Sequence, residues 1–269
     1  MTVVICVLLI LAVLFLFTLR GRRNNPKLAE LRKWKYAHRG LHDENLPENS
    51  MAAFRAALEH GYGIELDVHL LKDGTLAILH DSDLARMTGK EGKIEDLTAE
   101  DLKNYSLNGT DQTIPTFREA LDLFGGKAPM IVEVKSAGNN YAALTEATCN
   151  MLADYPGAYC VESFDPRCVR WLKQNRPDIV RGQLTEKFEA VPDGPSPLLL
   201  FALTNNLLNF LTLPDFVAYK FDDRKCTLTN ALWQKIWGVQ GVSWTLKTRE
   251  DYDTAVTEGW IPIFEDIRP

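Results

Sequence analysis

The sequence predicts an α/β fold: a TIM (β/α)8 barrel with a β-hairpin at its second strand, preceded by one N-terminal transmembrane helix. Three observations lead there. Short strand-like runs alternate with helical patterns over residues 34–269, the order that gives parallel strands joined by helical crossovers. That stretch is close to the ~250 residues usual for such a barrel. Residues able to do chemistry, from His38 to Trp244, fall near the ends of the strand-like runs, where barrel enzymes gather their catalytic groups.

Residues 2–19 form an uncharged run, aliphatic or aromatic except at Thr2, Cys6 and Thr18. Its length reaches the lower end of the ~17–25 residues that cross a bilayer as a helix. A cleaved signal peptide would carry basic residues ahead of the run and a small-residue cleavage site behind it. Here nothing basic precedes, and LRGRRNNPK follows. Residues 1–20 are therefore expected to be a retained single-pass membrane anchor, 21–33 a basic linker, and 34–269 the catalytic domain. Basic residues crowd between Arg20 and Lys35, with Glu30 the one acid among them. The positive-inside rule then puts the domain on the cytoplasmic side. A net charge of −6 argues against a nucleic-acid partner. The 5 cysteines show no CxxC spacing, and the four beyond Cys6 read as buried thiols in a reducing compartment.

Taken in order, residues 34–39 (WKYAHR) are the first strand, ending in His-Arg-Gly. Pro47-Glu48-Asn49-Ser50 opens a helix with Asn49 or Ser50 as N-cap, and Gly61 ends it. Residues 64–81 (IELDVHLLKDGTLAILHD) read as a strand, the Asp73-Gly74 turn and a returning strand. A two-residue loop there sets Lys72 against Thr75 and Asp67 against His80. Alternation adds Glu65 to the same face. Residues 82–112 read as a polar insertion above the site, with a short helix capped near Thr98. Further strands are expected at 129–135, 158–164, 178–184, 216–221, 241–246 and 260–264, with helices between them. Residues 198–213 (LLLFALTNNLLNFLTL) read as one amphipathic helix with Asn205, Asn209 and Thr212 on its polar face. It is either an ordinary barrel helix or a surface for acyl chains.

Unpaired charge on buried strands is costly, so the carboxylates Glu65, Asp67 and Glu133 need a compensating partner. Three carboxylates suit a hard divalent cation, Mg²⁺ or Ca²⁺. His38 and His80 suit general acid–base work near neutral pH. Arg39 and Lys135 suit an anionic phosphate. Together they describe metal-assisted phosphodiester cleavage. His42, His60 and His69 are not expected to be catalytic.

These residues stand in a recognisable order. His38-Arg39-Gly40, Pro47-Glu48-Asn49-Ser50, the run over 64–81, Ile114-Pro115-Thr116, Val132-Glu133-Val134-Lys135 and Ser243-Trp244-Thr245 make the chain similar to the glycerophosphodiester phosphodiesterase family. The resemblance runs from residue 36 to about 266. It implies a barrel, one divalent cation on Glu65, Asp67 and Glu133, acid–base roles for His38 and His80, and phosphate contacts from Arg39 and Lys135. It also implies a supporting role for Glu48 and a pocket wall at Trp244. The implied reaction is hydrolysis of a glycerophosphodiester to glycerol 3-phosphate and an alcohol, with the substrate's own hydroxyl as first nucleophile. The family's usual last strand differs here: Glu265 takes the place of a small polar residue and Trp260 adds bulk. A lysophospholipid is the alternative substrate. A catalytically silent, membrane-tethered phosphate- or lipid-binding module is the alternative from another class.

Overall fold

The computed structural model describes residues 2–23, 25–191 and 194–269. Among the described residues nine strands form one sheet in the order β1-β9-β8-β7-β6-β5-β4-β2-β3, and a β1–β2 pairing closes it. The strands are β1 Tyr36–Ala37, β2 Gly63–Leu70, β3 Leu76–Ile78, β4 Met130–Val134, β5 Tyr159–Ser163, β6 Val180–Thr185, β7 Phe216–Lys220, β8 Gln240–Leu246 and β9 Ile261–Phe264. All but β3 pair in parallel around the barrel, and β3 hangs antiparallel on β2. Helices cross over between successive barrel strands, as the alternation predicts.

Local chemistry fixes the helix starts. The Ser50 side chain accepts from Ala53 N and caps the Met51–Glu59 helix. Thr116 and Glu119 form a reciprocal capping box on the Phe117–Phe124 helix, which ends at Gly125 in the left-handed region. Side-chain alternation divides the interior in two. One set of strand residues (Ile64, Leu66, Val132, Val161, Val217) packs outward against the helices. The other set (Ile131, Cys160, Val180, Phe216, Ile263) fills the barrel, whose lower end Leu28 and Leu31 plug. The packing is tight at several glycines, most of all at Gly182. A Cβ on Gly182 would stand 2.1 Å from the Phe216 ring. Gly182→Ala is expected to cost about 1–3 kcal/mol through overpacking. Chemical denaturation checks this, and an unchanged midpoint would refute it.

Three expectations are corrected. First, the hairpin register is Val68↔Ile78, His69↔Ala77 and Leu70↔Leu76, so the loop holds three residues, Lys72 to Gly74. Leu71 N bonds Thr75 O, Asp73 Oδ1 accepts from Thr75 N, and Gly74 has φ 86. This is the three-residue loop with a left-handed glycine, which shifts the pairing by one residue. Leu79, not His80, faces Asp67. Second, the 198–213 stretch is broken into Pro197–Thr204 and Asn209–Thr212, with Asn206 at φ 57 between them. Asn209 and Thr212 of the expected polar face are buried, with Asn206 beside them, while Asn205 is half-buried and Leu198 and Phe201 are exposed, so most of that face points inward. Third, Cys226 is exposed, whereas Cys149, Cys160 and Cys168 are buried.

The N-terminal segment is helical over Thr2–Thr18, 17 residues with no buried side chain; Met1 lies outside the described residues. Among the described residues no helix is long and apolar enough to cross a membrane. At 1.5 Å per residue the helix reaches about 25 Å, short of a ~30 Å hydrocarbon core. It stops because the next residues belong to the barrel. Leu19 is 0% exposed in the outer core. Arg20 lies over the Phe17 ring, and Trp237 Nε1 donates to Leu16 O. Arg22 grips Asp215 with two 2.6 Å bonds and donates to Ile179 O. The basic residues after the helix thus tie down chain ends at the base of the barrel.

Candidate active site

The site sits where β1, β2, β4 and β5 end. Register aligns Asp67 with Glu133, and Glu133 with Glu162, on neighbouring strands. Adjacent strands lie about 4.8 Å apart, so these acids stand side by side facing into the barrel. Glu65, Asp67 and Glu133 are all buried and can each bring a carboxylate oxygen within 4.8 Å of the others. The structure also places Glu162 beside them, 1% exposed and with Oε2 unpartnered. The charged strand residues Glu65 and Glu133 were flagged in the sequence by a test that Glu162, in YCVESF, also meets.

Two cations answer these acids. Lys135 Nζ lies 2.9 Å from Glu133 Oε1 and 3.1 Å from Asp67 Oδ1. Arg39 Nε lies 3.5 Å from Asp67 Oδ2, and Arg39 N donates to Glu65 Oε2. Arg39 adopts φ 53, which turns its backbone N–H toward that carboxylate. Asn49, fully buried at φ 55, donates to Asp67 Oδ2 at 2.7 Å. The sequence marks Asn49 only as a possible cap; its reach to Asp67 is a tertiary contact with no local signature.

Charge does not balance. Burial, then the neighbouring Asp67 and Glu133, pushes Glu65 well up from the ordinary carboxylate range. Burial likewise pushes Glu133 up to about 7 despite Lys135, and burial with Glu133 nearby raises Glu162. Asp67 goes the other way: burial opposes its charge, but Lys135 and Arg39 hold it well below its usual value. The donor set is all oxygen, and Lys135 Nζ is shared between Asp67 Oδ1 at 3.1 Å and Glu133 Oε1 at 2.9 Å. A hard divalent cation fits the donors and supplies the missing positive charge.

Both imidazoles carry a carboxylate on Nδ1. His38 Nδ1 is 2.5 Å from Glu265 Oε2, and Lys247 Nζ is 2.6 Å from Glu265 Oε1. His80 Nδ1 is 2.7 Å from Asp81 Oδ1, and Arg86 bonds Asp81. Such a partner fixes the ring and its tautomer, leaving Nε2 for the site. His38 Nε2 accordingly lies 3.9 Å from Glu65. Burial pushes His38 down to about 4, partly offset by Glu265, and burial also lowers His80. Arg86 donates to both oxygens of Glu48, which also accepts from Arg39. Glu48 is thus bonded to Arg39 on one side and Arg86 on the other. His69 stands apart from the buried acids, at the rim: it lines the adjoining cleft and bonds Glu95 at 2.7 Å, and Glu95 also accepts from Ser82. Trp244 donates to Ala218 O and meets Phe164 edge-on at 5.6 Å, forming a wall.

The two imidazoles, Arg39, Glu65, Glu133 and Trp244 line one small cavity of about 30 Å³. It adjoins a cleft of about 1040 Å³, walled by Lys135 and Arg167 on one side and by Phe164, Leu199 and Leu203 on another.

Residues 38–266 match the model of the glycerophosphoryl diester phosphodiesterase family. The chain belongs to this family. It is a phosphoric diester hydrolase of the glycerophosphodiester phosphodiesterase type, and the matched span runs from the first catalytic candidate to just past Glu265. A glycerophosphodiester phosphodiesterase of Caldanaerobacter subterraneus subsp. tengcongensis is 30% identical over 240 residues, covering 86% of this chain and 92% of that one. Glycerophosphodiester phosphodiesterase 1 of Bos taurus is 27% identical, covering 87% of this chain and 79% of its own length. An Oleispira antarctica phosphodiesterase, solved with the product sn-glycerol-3-phosphate, shares the fold at TM-score 0.71 and 21% identity, covering 87% and 92% of the two chains.

Proposed function

We propose that this family member hydrolyses glycerophosphodiesters to glycerol 3-phosphate and an alcohol, with one divalent cation, Mg²⁺ or Ca²⁺, on Glu65, Asp67 and Glu133. The observation that carries the reading is the convergence of two carboxylate-held imidazoles with Glu65 and Glu133 on one cavity, Asp67 lying beside these acids. Arg39 and Lys135 bind and orient the phosphate. One imidazole Nε2 takes the proton of the attacking hydroxyl as the new P–O bond forms; the other delivers a proton to the alkoxide as the old P–O bond breaks. The accepting ring enters neutral and leaves protonated, and the delivering ring enters protonated on Nε2 and leaves neutral, so the pair's proton count is unchanged; burial, which lowers both rings, favours giving the proton up. When bound, the cation stabilises charge on the non-bridging oxygens. Trp244 and Phe164 exclude water from the reacting side. A silent binding module is disfavoured by the two carboxylate-held imidazoles beside the buried acids.

The apolar wall of Phe164, Leu199 and Leu203 favours a second substrate reading, a lysophospholipid whose chain runs along the cleft. Attachment to a lipid surface is also part of the proposal. The exposed apolar side chains of Thr2–Thr18 support it, and Arg20, Arg22 and Arg23 at the helix end favour the cytoplasmic side. Turnover of glycerophosphocholine, glycerophosphoethanolamine and lysophosphatidylcholine, with each cation and after chelation, tests the reaction. The expected result is cation-dependent turnover of the first two. Full activity after exhaustive chelation would remove the cation, and turnover of the lysolipid alone would replace the substrate.

A further inference from the structure

We infer that His38, His42 and Glu265 form a second cation site, for a borderline transition-metal ion such as Zn²⁺, whose occupation takes His38 out of the reaction. The inhibitory consequence rests on the function proposed above; the binding site does not.

The three side chains can each bring one donor atom within 4.8 Å of the others. Glu265 Oε2 is the shared centre, 2.5 Å from His38 Nδ1 and 3.9 Å from His42 Nε2. His42 Nε2 is buried and, among the described residues, has no hydrogen-bond partner. Nothing else in the site's chemistry uses it. The backbone builds the arrangement. Arg39 and Gly40 take φ 53 and 83 in succession, folding the chain back so that His42 meets the carboxylate already held by His38. Leu41 N bonds Ala53 O, and a Cβ on Gly40 would stand 2.9 Å from Ala53, so the turn is pinned against the Met51–Glu59 helix.

Donor type separates the two sites. Two imidazoles and one carboxylate are the set that Zn²⁺ prefers. Glu65, Asp67 and Glu133 offer oxygen alone, the set for Mg²⁺ or Ca²⁺. A tetrahedral ion with bonds of about 2.0–2.1 Å holds its donors about 3.3 Å apart. The 2.5 Å pair must open and the 3.9 Å pair must close by under about 1 Å each, within reach of side-chain rotation. Lys247 sits on the other oxygen, Oε1, with its own side chain 55% exposed, so Oε2 remains free to turn to the ion. A separate cavity of about 300 Å³, lined by Gly40, His42, Asp43, Glu265 and Asp266, reaches this cluster without crossing the substrate cleft. The ion therefore has its own way in.

Binding moves one proton: the hydrogen on His38 Nδ1 leaves as metal–nitrogen and metal–oxygen bonds form, and Nε2 takes up a proton from water, so the ring stays neutral. With Nδ1 metallated and Nε2 protonated, His38 has no free nitrogen to act as a base.

The test uses the full chain, stripped by chelator and reloaded with excess Mg²⁺. Co²⁺ serves as the spectroscopic probe, because four-coordinate Co²⁺ with nitrogen donors absorbs in the visible. The expected result is one such site per chain, displaced by Zn²⁺ and insensitive to Mg²⁺. His42→Ala and His42→Gln should weaken Co²⁺ binding by at least about tenfold, the lower range for losing even an outer partner of a metal site. Zn²⁺ inhibition of glycerophosphocholine turnover should weaken by the same factor, with Mg²⁺-supported turnover unchanged. Equal Co²⁺ spectra in wild type and both variants would overturn the site. Zn²⁺ inhibition that excess Mg²⁺ relieves, and that the His42 variants share, would place the ion on the three carboxylates instead. Absence of turnover would sink the proposed reaction and leave the Co²⁺ result to decide the site.

Discussion

His80→Gln is expected to lower kcat by about 10²–10⁴-fold, the range for removing a positioned acid–base group, while the substrate's KM and the melting temperature stay close to wild type. The side chain is 31% exposed, so little packing is lost. Glutamine retains hydrogen-bonding capacity but cannot move a proton. The ring is held by Asp81, and Asp81 by Arg86, which also grips Glu48 and through it Arg39. One arginine thus joins the imidazole proposed to carry the proton to the guanidinium proposed to bind the phosphate. Asp81→Asn should for this reason reproduce part of the kcat loss, because Nδ1 then loses its charged acceptor and the ring its fixed tautomer. Steady-state kinetics on glycerophosphocholine, with a thermal melt of the same samples, is the check. A His80→Gln enzyme within about tenfold of wild type would remove this imidazole from the reaction.

Much of this was legible in the chain itself. Strand alternation located Glu65, Asp67, Glu133 and Lys135 on one wall because a buried strand tolerates charge only where a partner compensates it. Caps such as Ser50 and Thr116 marked helix starts because their side chains answer backbone N–H groups a few residues away. What the sequence hid depends on partners distant in the chain or on the conformation of single residues. Gly74 allows both a two-residue and a three-residue loop, and the choice decides whether His80 or Leu79 faces Asp67. The imidazole still reaches the site, from the loop beyond β3. Asn206 breaks an apparently continuous helix through one positive φ. Glu265 reads as a departure in substrate shape, but the fold brings it 227 residues back along the chain to His38. The apolar run at 2–19 satisfied a length rule, while its last residue, Leu19, was needed in the barrel core.

Asp67→Asn and Glu133→Gln are both expected to abolish detectable turnover, yet to move stability in opposite directions in the chelated protein. Asp67 is the acid that the site's cations serve: Lys135 at 3.1 Å, Arg39 at 3.5 Å, and a bond from Asn49. Its pKa is depressed on folding, so its stabilisation is present above the unfolded value of about 3.9 and is lost as pH falls below it. Removing one member of a buried pair leaves the others uncompensated, at a cost of about 3–5 kcal/mol. Glu133 is the surplus charge. Its pKa rises on folding to about 7, so the metal-free protein loses stability as pH climbs from about 4.5 through 7. Glutamine carries no charge to bury, and Lys135 keeps Asp67 as partner. Glu133→Gln should therefore melt above wild type at pH 8 in chelator, by up to a few kcal/mol, and the gain should vanish at pH 5. Adding Mg²⁺ or Ca²⁺ should reverse the order, since a bound ion stabilises only the protein that still has its ligands. Melting curves at the two pH values, with and without the cation, separate these effects. Equal destabilisation by both substitutions in chelator would show that the carboxylates are not in excess without the ion, and would take away the electrostatic argument for it.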